Sequence, residues 1–524
     1  MSKESRWQVV AVLGVGLFMA ILDSTIVSVT LPQMQKAFGT DFETITWVAT
    51  AYFLAQAAII PIMGYLSDRL GSKLVFLTAL TMFTVGSALC SLAPTKEALI
   101  AFRVFQGIGG GALLPVVFAI IYRLYLPTER GPVAVVLGIP AMMAPTFGPT
   151  IGGFLSTNFN WRAIFVVNLP IGVIVLILAI LILPKHEAGE QTKENKKPFD
   201  VLGLVLSMLG FTALVYGITE AGSKGWGDPT VLTFIIVGAI VLAAFTLVEL
   251  LVSDSVIDIR LLVNYTFSIA NALLWVVVAV IYASLFLLSL FFENIQGNSS
   301  LTAGEFLIGQ GLAMGAGIAL SGALYNRVGP RIFTVLGLIL MAAGAYGLTQ
   351  IDLNTTGQSL QIWLIVRGFG MGLVNPPLQT LALSVVSNRG MAKASSLISI
   401  TRQVAGAFGV AGLTTYLTQQ ATTHAQDIGK ALQTGIATHH LSGVAATCAR
   451  AAGPKLDQAA VHACVGLHAS VMGMADTFWI VLICCAASII PALLMGRDPA
   501  IEAHKQAKAR REDVELEKAP TLSE

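Results

Sequence analysis

The sequence predicts an all-α integral membrane protein with fourteen transmembrane helices: two six-helix bundles, two extra central helices between them, and both termini cytoplasmic. Three observations carry that prediction. Of the 524 residues, 55% are hydrophobic and only 11% are charged, whereas a soluble domain carries about a quarter charged residues. Apolar runs of about 20 residues recur from end to end, each able to cross roughly 30 Å of hydrocarbon at about 1.5 Å per residue. Lys and Arg gather in alternate loops, the bias that orients a chain in a membrane. The runs lack strand-like alternation, so their backbone groups must be satisfied within helices.

The first bundle takes residues 8–31, 44–66, 74–92, 97–122, 131–155 and 162–183. Its opening run has no small-residue cleavage pattern and contains Asp23, so it is read as a retained helix rather than a signal peptide. Ser2 stands where myristoylation needs glycine and there is no C-terminal prenylation box, so attachment requires only the helices. A polar linker over 185–198 leads to the central pair, 201–219 and 229–251. The second bundle takes 267–292, 303–325, 331–350, 359–385, 395–418 and 470–495. The units are therefore 1–184, 185–260, 261–495 with a long extracytoplasmic loop over 419–469, and a cytoplasmic tail over 496–524.

Orientation follows from the charges. Lys36, Lys96, Arg162 and Lys224 are the cations of the short outer loops, and most of the 31 Lys and Arg residues fall on the other side with both termini. An odd number of helices would scramble that bias. A multi-pass protein of the cytoplasmic (inner) membrane is expected. The net charge of +2 gives no reason to expect a nucleic-acid partner.

Two sequence echoes relate the bundles. GYLSDRLGSK over 64–73 is matched by GALYNRVGPR over 322–331, and RVFQG over 103–107 by RGFGMG over 367–372, at corresponding positions of each half. Repeated halves in transporters usually enclose a substrate site near the midplane.

Several residues stand out inside apolar runs. Asp23 lies about eight residues, or roughly 12 Å, from the outer end of its helix. A carboxylate there is costly unless it is neutral part of the time or faces a cation or water. It fits either a proton carrier or a static ion pair. Arg103 enters from the same side to a depth of roughly 9 Å, matching Asp23 across the bundle, and Gln106 follows one turn on. Gly107 and Gly111 form a small-xxx-small pair suited to close helix packing. Asp476 lies about six residues into the last helix, where a coupling role and a favourable helix dipole fit equally. Arg367 and Arg402 read as structural partners of backbone carbonyls. Glu305 has capping-box spacing from Thr302. Glu220, Glu249 and Glu293 sit near helix ends, as solvated boundary residues do.

The fifth helix carries Gly138, Pro140, Pro145, Gly148, Pro149, Gly152 and Gly153. Prolines remove backbone hydrogen bonds and glycines admit close approach, so a kinked helix pressed against a moving neighbour is expected. Tyr52, Gln56, Gln106, Asn375 and Gln379 are candidate cavity-lining groups. Of the five cysteines, Cys448 and Cys464 fall in the outer segment, where a disulfide is permitted. Its neighbours His424, His439, His440, His462 and His468 match no metal-ligand spacing, and no metal is expected.

The 64–73 loop, the 103–107 segment and the GPTIGG run over 148–153 resemble three signature motifs of the major facilitator superfamily, the last being its antiporter motif. LDSTIV over 22–27 through Leu31-Pro32, Trp161-Arg162 and NLPIG over 168–172 look like the fourteen-helix drug:proton antiporters of the EmrB/QacA type. The resemblance covers nearly the whole chain. It implies a major facilitator fold and proton-driven export of amphipathic, often cationic, compounds by alternating access, with the proton gradient as energy source and no cofactor. Asp23 then matches the family's acidic residue in helix one and Arg103 its helix-four arginine. Gly64, Asp68, Arg69, Gly71 and Lys73 would form a conformational latch, and Pro145, Gly148, Pro149, Gly152 and Gly153 the antiporter hinge. Ser72 departs from the pattern where a second basic residue is usual, and Asn326 replaces an acid in the second-half loop. The expected partners are a small-molecule substrate, protons and lipid, in a monomer. The outer segment is either a docking site for a periplasmic adaptor protein or a flexible insertion. Export of an endogenous metabolite or lipid is the alternative. An enzyme or receptor is disfavoured, because no Walker-type sequence is present and the loops are too short for a catalytic domain.

Overall fold

The structure is a computed structural model that describes residues 3–126, 129–184, 200–252, 255–387, 390–438, 443–451, 457–496, 498 and 502. The 185–198 linker, His439, His440 and nearly all of the 496–524 tail lie outside the described residues. The first half comprises α1 (Lys3–Phe38), α2 (Phe42–Leu70), α3 (Ser72–Leu92), α4 (Lys96–Leu124), α5 (Arg130–Asn158), α6 (Ala163–Val166) and α7 (Asn168–Ile182). The central pair is α8 (Val201–Lys224) and α9 (Pro229–Leu251). The second half comprises α10 (Tyr265–Leu290), α11 (Ser300–Val328), α12 (Pro330–Leu348), α13 (Gly357–Ser384), α14 (Met391–Thr438), α15 (Gly443–Ala451) and α16 (Gln458–Leu494). No strand occurs among the described residues.

Twelve helices among the described residues are long and apolar enough to cross a membrane, with α6 and α7 forming a single span over 163–182. The helices α5 and α13, at 29 and 28 residues, have spanning length but stand outside that set.

Local chemistry sets the ends. Asp41, Thr95, Asn264, Ser299 and Thr356 each accept a backbone N–H in the first turn of α2, α4, α10, α11 and α13, satisfying donors that a helix start leaves free. Gly71 ends α2 and opens α3 at φ +88°, and Gly329 does the same between α11 and α12 at φ +86°. The two glycines hold the same place in the two echoed loops, where a Cβ would be strained.

Packing repeats as the loops do. In the first half α1 packs on α5 and α4 on both α2 and α3; in the second, α10 packs on α14 and α13 on both α11 and α12. The halves meet along α5 with α11 and along the counterparts α14 with α2. The central helix α8 leans on both α2 and α14, bridging that seam, while α9 packs mainly on α8 and exposes Phe234, Ile236, Ile240 and Leu247.

The segment 419–469, expected as a long loop, is helical over most of its described residues. The helix α14 continues to Thr438, and α15 and the start of α16 follow. The sequence reading ended that helix where the apolar run ended, but 419–438 contains no proline, so the backbone continues beyond the hydropathy boundary. Cys448 and Cys464 are disulfide-bonded, with Cα atoms 5.5 Å apart.

Candidate functional site

A polar cluster is buried in the first half. Asp23 of α1 is 1% exposed and Arg103 of α4 is fully buried, and they meet at 2.5 Å between Oδ2 and Nη1. The other carboxylate oxygen accepts from Gln106 Nε2 at 2.9 Å and Asn168 Nδ2 at 2.8 Å. Arg103 also donates through Nε to the Val48 carbonyl at 3.0 Å and through Nη1 to Gln106 Oε1 at 2.8 Å. Its guanidinium lies 4.0 Å from the centre of the Tyr52 ring, a cation–π contact. Ser87 Oγ accepts from Gln106 at 2.6 Å and Asn168 at 3.2 Å, closing the network from α3.

Glycines make this approach possible. A Cβ on Gly86 would lie 2.7 Å from the Gln106 Cα, and one on Gly107 would lie 2.7 Å from the Tyr52 carbonyl. Such a buried pair is tolerated because every charge has partners; removing one costs about 3–5 kcal/mol. A proton added to Asp23 would leave Arg103 with neutral acceptors only. The counterpart Arg367 is fully buried, and its guanidinium nitrogens have no hydrogen-bond partner among the described residues.

A cavity of about 540 Å³ lies between the halves, bounded by α1, α2, α4, α5, α10, α11, α13 and α14. Gln56, Asn375 and Gln379 line it, as expected from the sequence. Tyr52 and Gln106 do not. Tyr52 is held under Arg103 with its hydroxyl donating to the Ala20 carbonyl at 3.2 Å, and Gln106 is consumed by the Asp23 network. Among the described residues the charged groups in the lining are Arg402 and Glu293, which sequence reasoning read as structural and boundary residues. Glu249, also read as a solvated boundary group, is 1% exposed and accepts the Val256 N–H at 3.0 Å.

The residues expected to form a latch lie along the end of α2 and the α2–α3 turn. Asp68 is ion-paired with Arg123 from the end of α4, and Arg123 also donates to Ser72 Oγ at 3.1 Å. Arg69 lies over the Tyr65 ring. Lys73 Nζ donates to the Ile180 and Leu183 carbonyls at 2.8 and 2.6 Å. Gly64 reaches across the seam: its N–H donates to Ser396 Oγ at 2.8 Å, and a Cβ there would lie 2.6 Å from the Ala392 carbonyl. Arg123, Ser396, Ser87 and Asn168 were missed as site residues, although Asn168 opens the quoted NLPIG run.

Of the residues expected to form a hinge, Gly148 takes the Thr25 side chain into the space of its missing Cβ, and Gly152 lies against the Ile26 carbonyl, both facing α1. Gly153 is partly exposed, and the backbone of α5 runs unbroken through Pro145 and Pro149. Asp476 is not part of the buried cluster. It is 37% exposed on α16, with Oδ2 2.7 Å from Nε2 of His424.

Residues 13–410 match the family model for the Major Facilitator Superfamily. The chain belongs to this superfamily. Among superfamily relatives, it is 32% identical over 518 residues to the uncharacterized MFS-type transporter YhcA of Bacillus subtilis, covering 97% of this chain and 96% of that one. It is also 32% identical over 499 residues to a multidrug resistance protein B homolog of Mycobacterium tuberculosis, covering 93% and 89%. The solved structure of the MFS proton:xylose symporter XylE shares the fold, with TM-score 0.59 at 12% identity over 96% of this chain and 99% of that one. As a superfamily member, the protein is a membrane transporter of small molecules.

Proposed function

We propose that this transporter is a fourteen-helix, proton-coupled antiporter of the cytoplasmic membrane that exports amphipathic small molecules by alternating access, with both termini cytoplasmic. The observation that carries the coupling is the buried Asp23–Arg103 pair with its Gln106 and Asn168 donors. A proton delivered to that carboxyl would take away the guanidinium's charged partner and leave it only neutral acceptors. The cluster touches α1, α2, α3, α4 and α7, while α5 packs on α1 at Gly148 and Gly152 and on α11 across the seam. Loss of the ion pair thereby reaches the interface along which the halves would rock. The resistance-protein name of the mycobacterial relative supports export of drug-like cargo. Asp476, paired with His424 outside the cluster, has no role in this proposal.

The test is efflux from proteoliposomes with an imposed proton gradient, using fluorescent amphipaths of positive, zero and negative charge. Native efflux of at least one dye that requires the gradient, and its loss in Asp23→Asn, is expected. Equal gradient-driven transport by both chains removes Asp23 from coupling.

A further inference from the structure

The central cavity contains a charge that the coupling network does not use. Arg402 of α14 lines it, and among the described residues the guanidinium donates a single hydrogen bond, from Nη1 to the neutral Gln379 Oε1 at 3.2 Å. A guanidinium has five N–H donors in a fork that matches a carboxylate. No ion pair joins Arg402 to a carboxylate among the described residues. Asp23, the carboxylate of the proposed coupling, is already held by Arg103 in the first half. Glu293, the acidic group of the lining, belongs to the turn after α10.

A second unmet donor lines the same cavity. Asn375 is one turn before Gln379 on α13, a spacing that places both on one helix face. It is 5% exposed, lines the same cavity, and its Nδ2 has no hydrogen-bond partner among the described residues. A buried donor without an acceptor is costly. Gln379 therefore links two donors, Arg402 directly and Asn375 along its own face, whose unfilled valences call for the same ligand chemistry. The rest of the wall is largely apolar, with Phe53, Phe118, Met314 and Met371, and about 540 Å³ lies within the usual range for drug-sized ligands.

We infer that Arg402 and Asn375 form an anion subsite, and that the cavity takes amphipathic carboxylates in preference to their neutral or cationic analogues. The inference rests on reading this cavity as the cargo site. It departs from the cationic cargo that the family resemblance suggests.

Purified full-length protein in nanodiscs at neutral pH would be titrated with dansylglycine, its neutral amide dansylglycinamide, and the cationic N-(2-aminoethyl) dansylamide, following dansyl fluorescence. The carboxylate should bind about tenfold more tightly than the amide, the usual order for one charge-assisted hydrogen-bonding site, and the cation more weakly still. Arg402→Gln should collapse the carboxylate and amide to within about twofold, while Arg402→Lys retains part of the difference. No saturable carboxylate binding, no preference over the amide in the native chain, or a full preference surviving in folded Arg402→Gln would each overturn the assignment. The native three-probe comparison needs no variant to fold. Because binding requires no gradient, a failure of proton coupling in proteoliposomes leaves this result standing, and the converse holds.

Discussion

Asp23 and Arg103 each make the other's burial possible. Asp23→Ala should cost about 3–5 kcal/mol of stability, the penalty for stranding a buried charge. Asp23→Ala/Arg103→Met should recover most of it, because apolar groups of similar volume can replace such a pair. Thermal unfolding in detergent, read as a double-mutant cycle, measures both; an additive loss would mean that the two side chains act independently. At the surface, the Thr44 backbone N–H and hydroxyl hold the Asp41 carboxyl below its ordinary value. A depressed folded value contributes stability above the unfolded pKa of about 3.9 and loses it as pH falls through the folded value. Asp41→Ala should therefore lower Tm at pH 7 and have a smaller effect near pH 3.

Among the elements, the seam helices are where a single Cβ matters. At Gly64 any side chain meets the α14 backbone at Ala392, so Gly64→Val should force the ends of α2 and α14 apart. Thiol labelling of Ser396→Cys from the side of the termini should rise several-fold in that background; unchanged labelling would show that the contact does not hold the seam. Gly148→Val places a branched side chain where the Thr25 hydroxyl sits and should impair transport. The disulfide acts on α15 and α16 alone. With its cysteines 16 positions apart in sequence, it should stabilise the outer segment by about 3 kcal/mol on the chain-entropy model. Equal free-thiol counts with and without reductant would show that the bond does not form.

For the whole molecule, the two halves present equivalent helices to one another: α5 against α11, and α14 against α2. Under the proposed alternating access, rocking one half against the other would open each seam in turn around the cavity both line. The central pair adds α8 across the α2–α14 seam alone, so the two seams differ, and α9 gives that side a broad apolar face. With an even number of spans, reporters fused to the two termini should both be reached in inverted vesicles and neither in right-side-out ones; opposite accessibility would refute the fourteen-helix count.

The amino-acid sequence by itself determined the all-helical class and the helix positions, because a membrane demands uninterrupted apolar segments and those are visible one residue at a time. It also showed the echoed loops 64–73 and 322–331, and it gave the pairing candidates Asp23 and Arg103, since a charge in an apolar run stands out without knowledge of its neighbours. The helical course of 419–438 was not legible from hydropathy, because a polar helix outside an apolar span lacks that signal. Only the tertiary structure decided that Tyr52 and Gln106 contact the ion pair while Arg402 lines the cavity. It also decided that Arg123 partners Asp68 and that Ser396 meets Gly64. Those assignments depend on which helix faces which across tens to hundreds of residues of chain, and side chains of one type look alike in sequence until packing has chosen their neighbours.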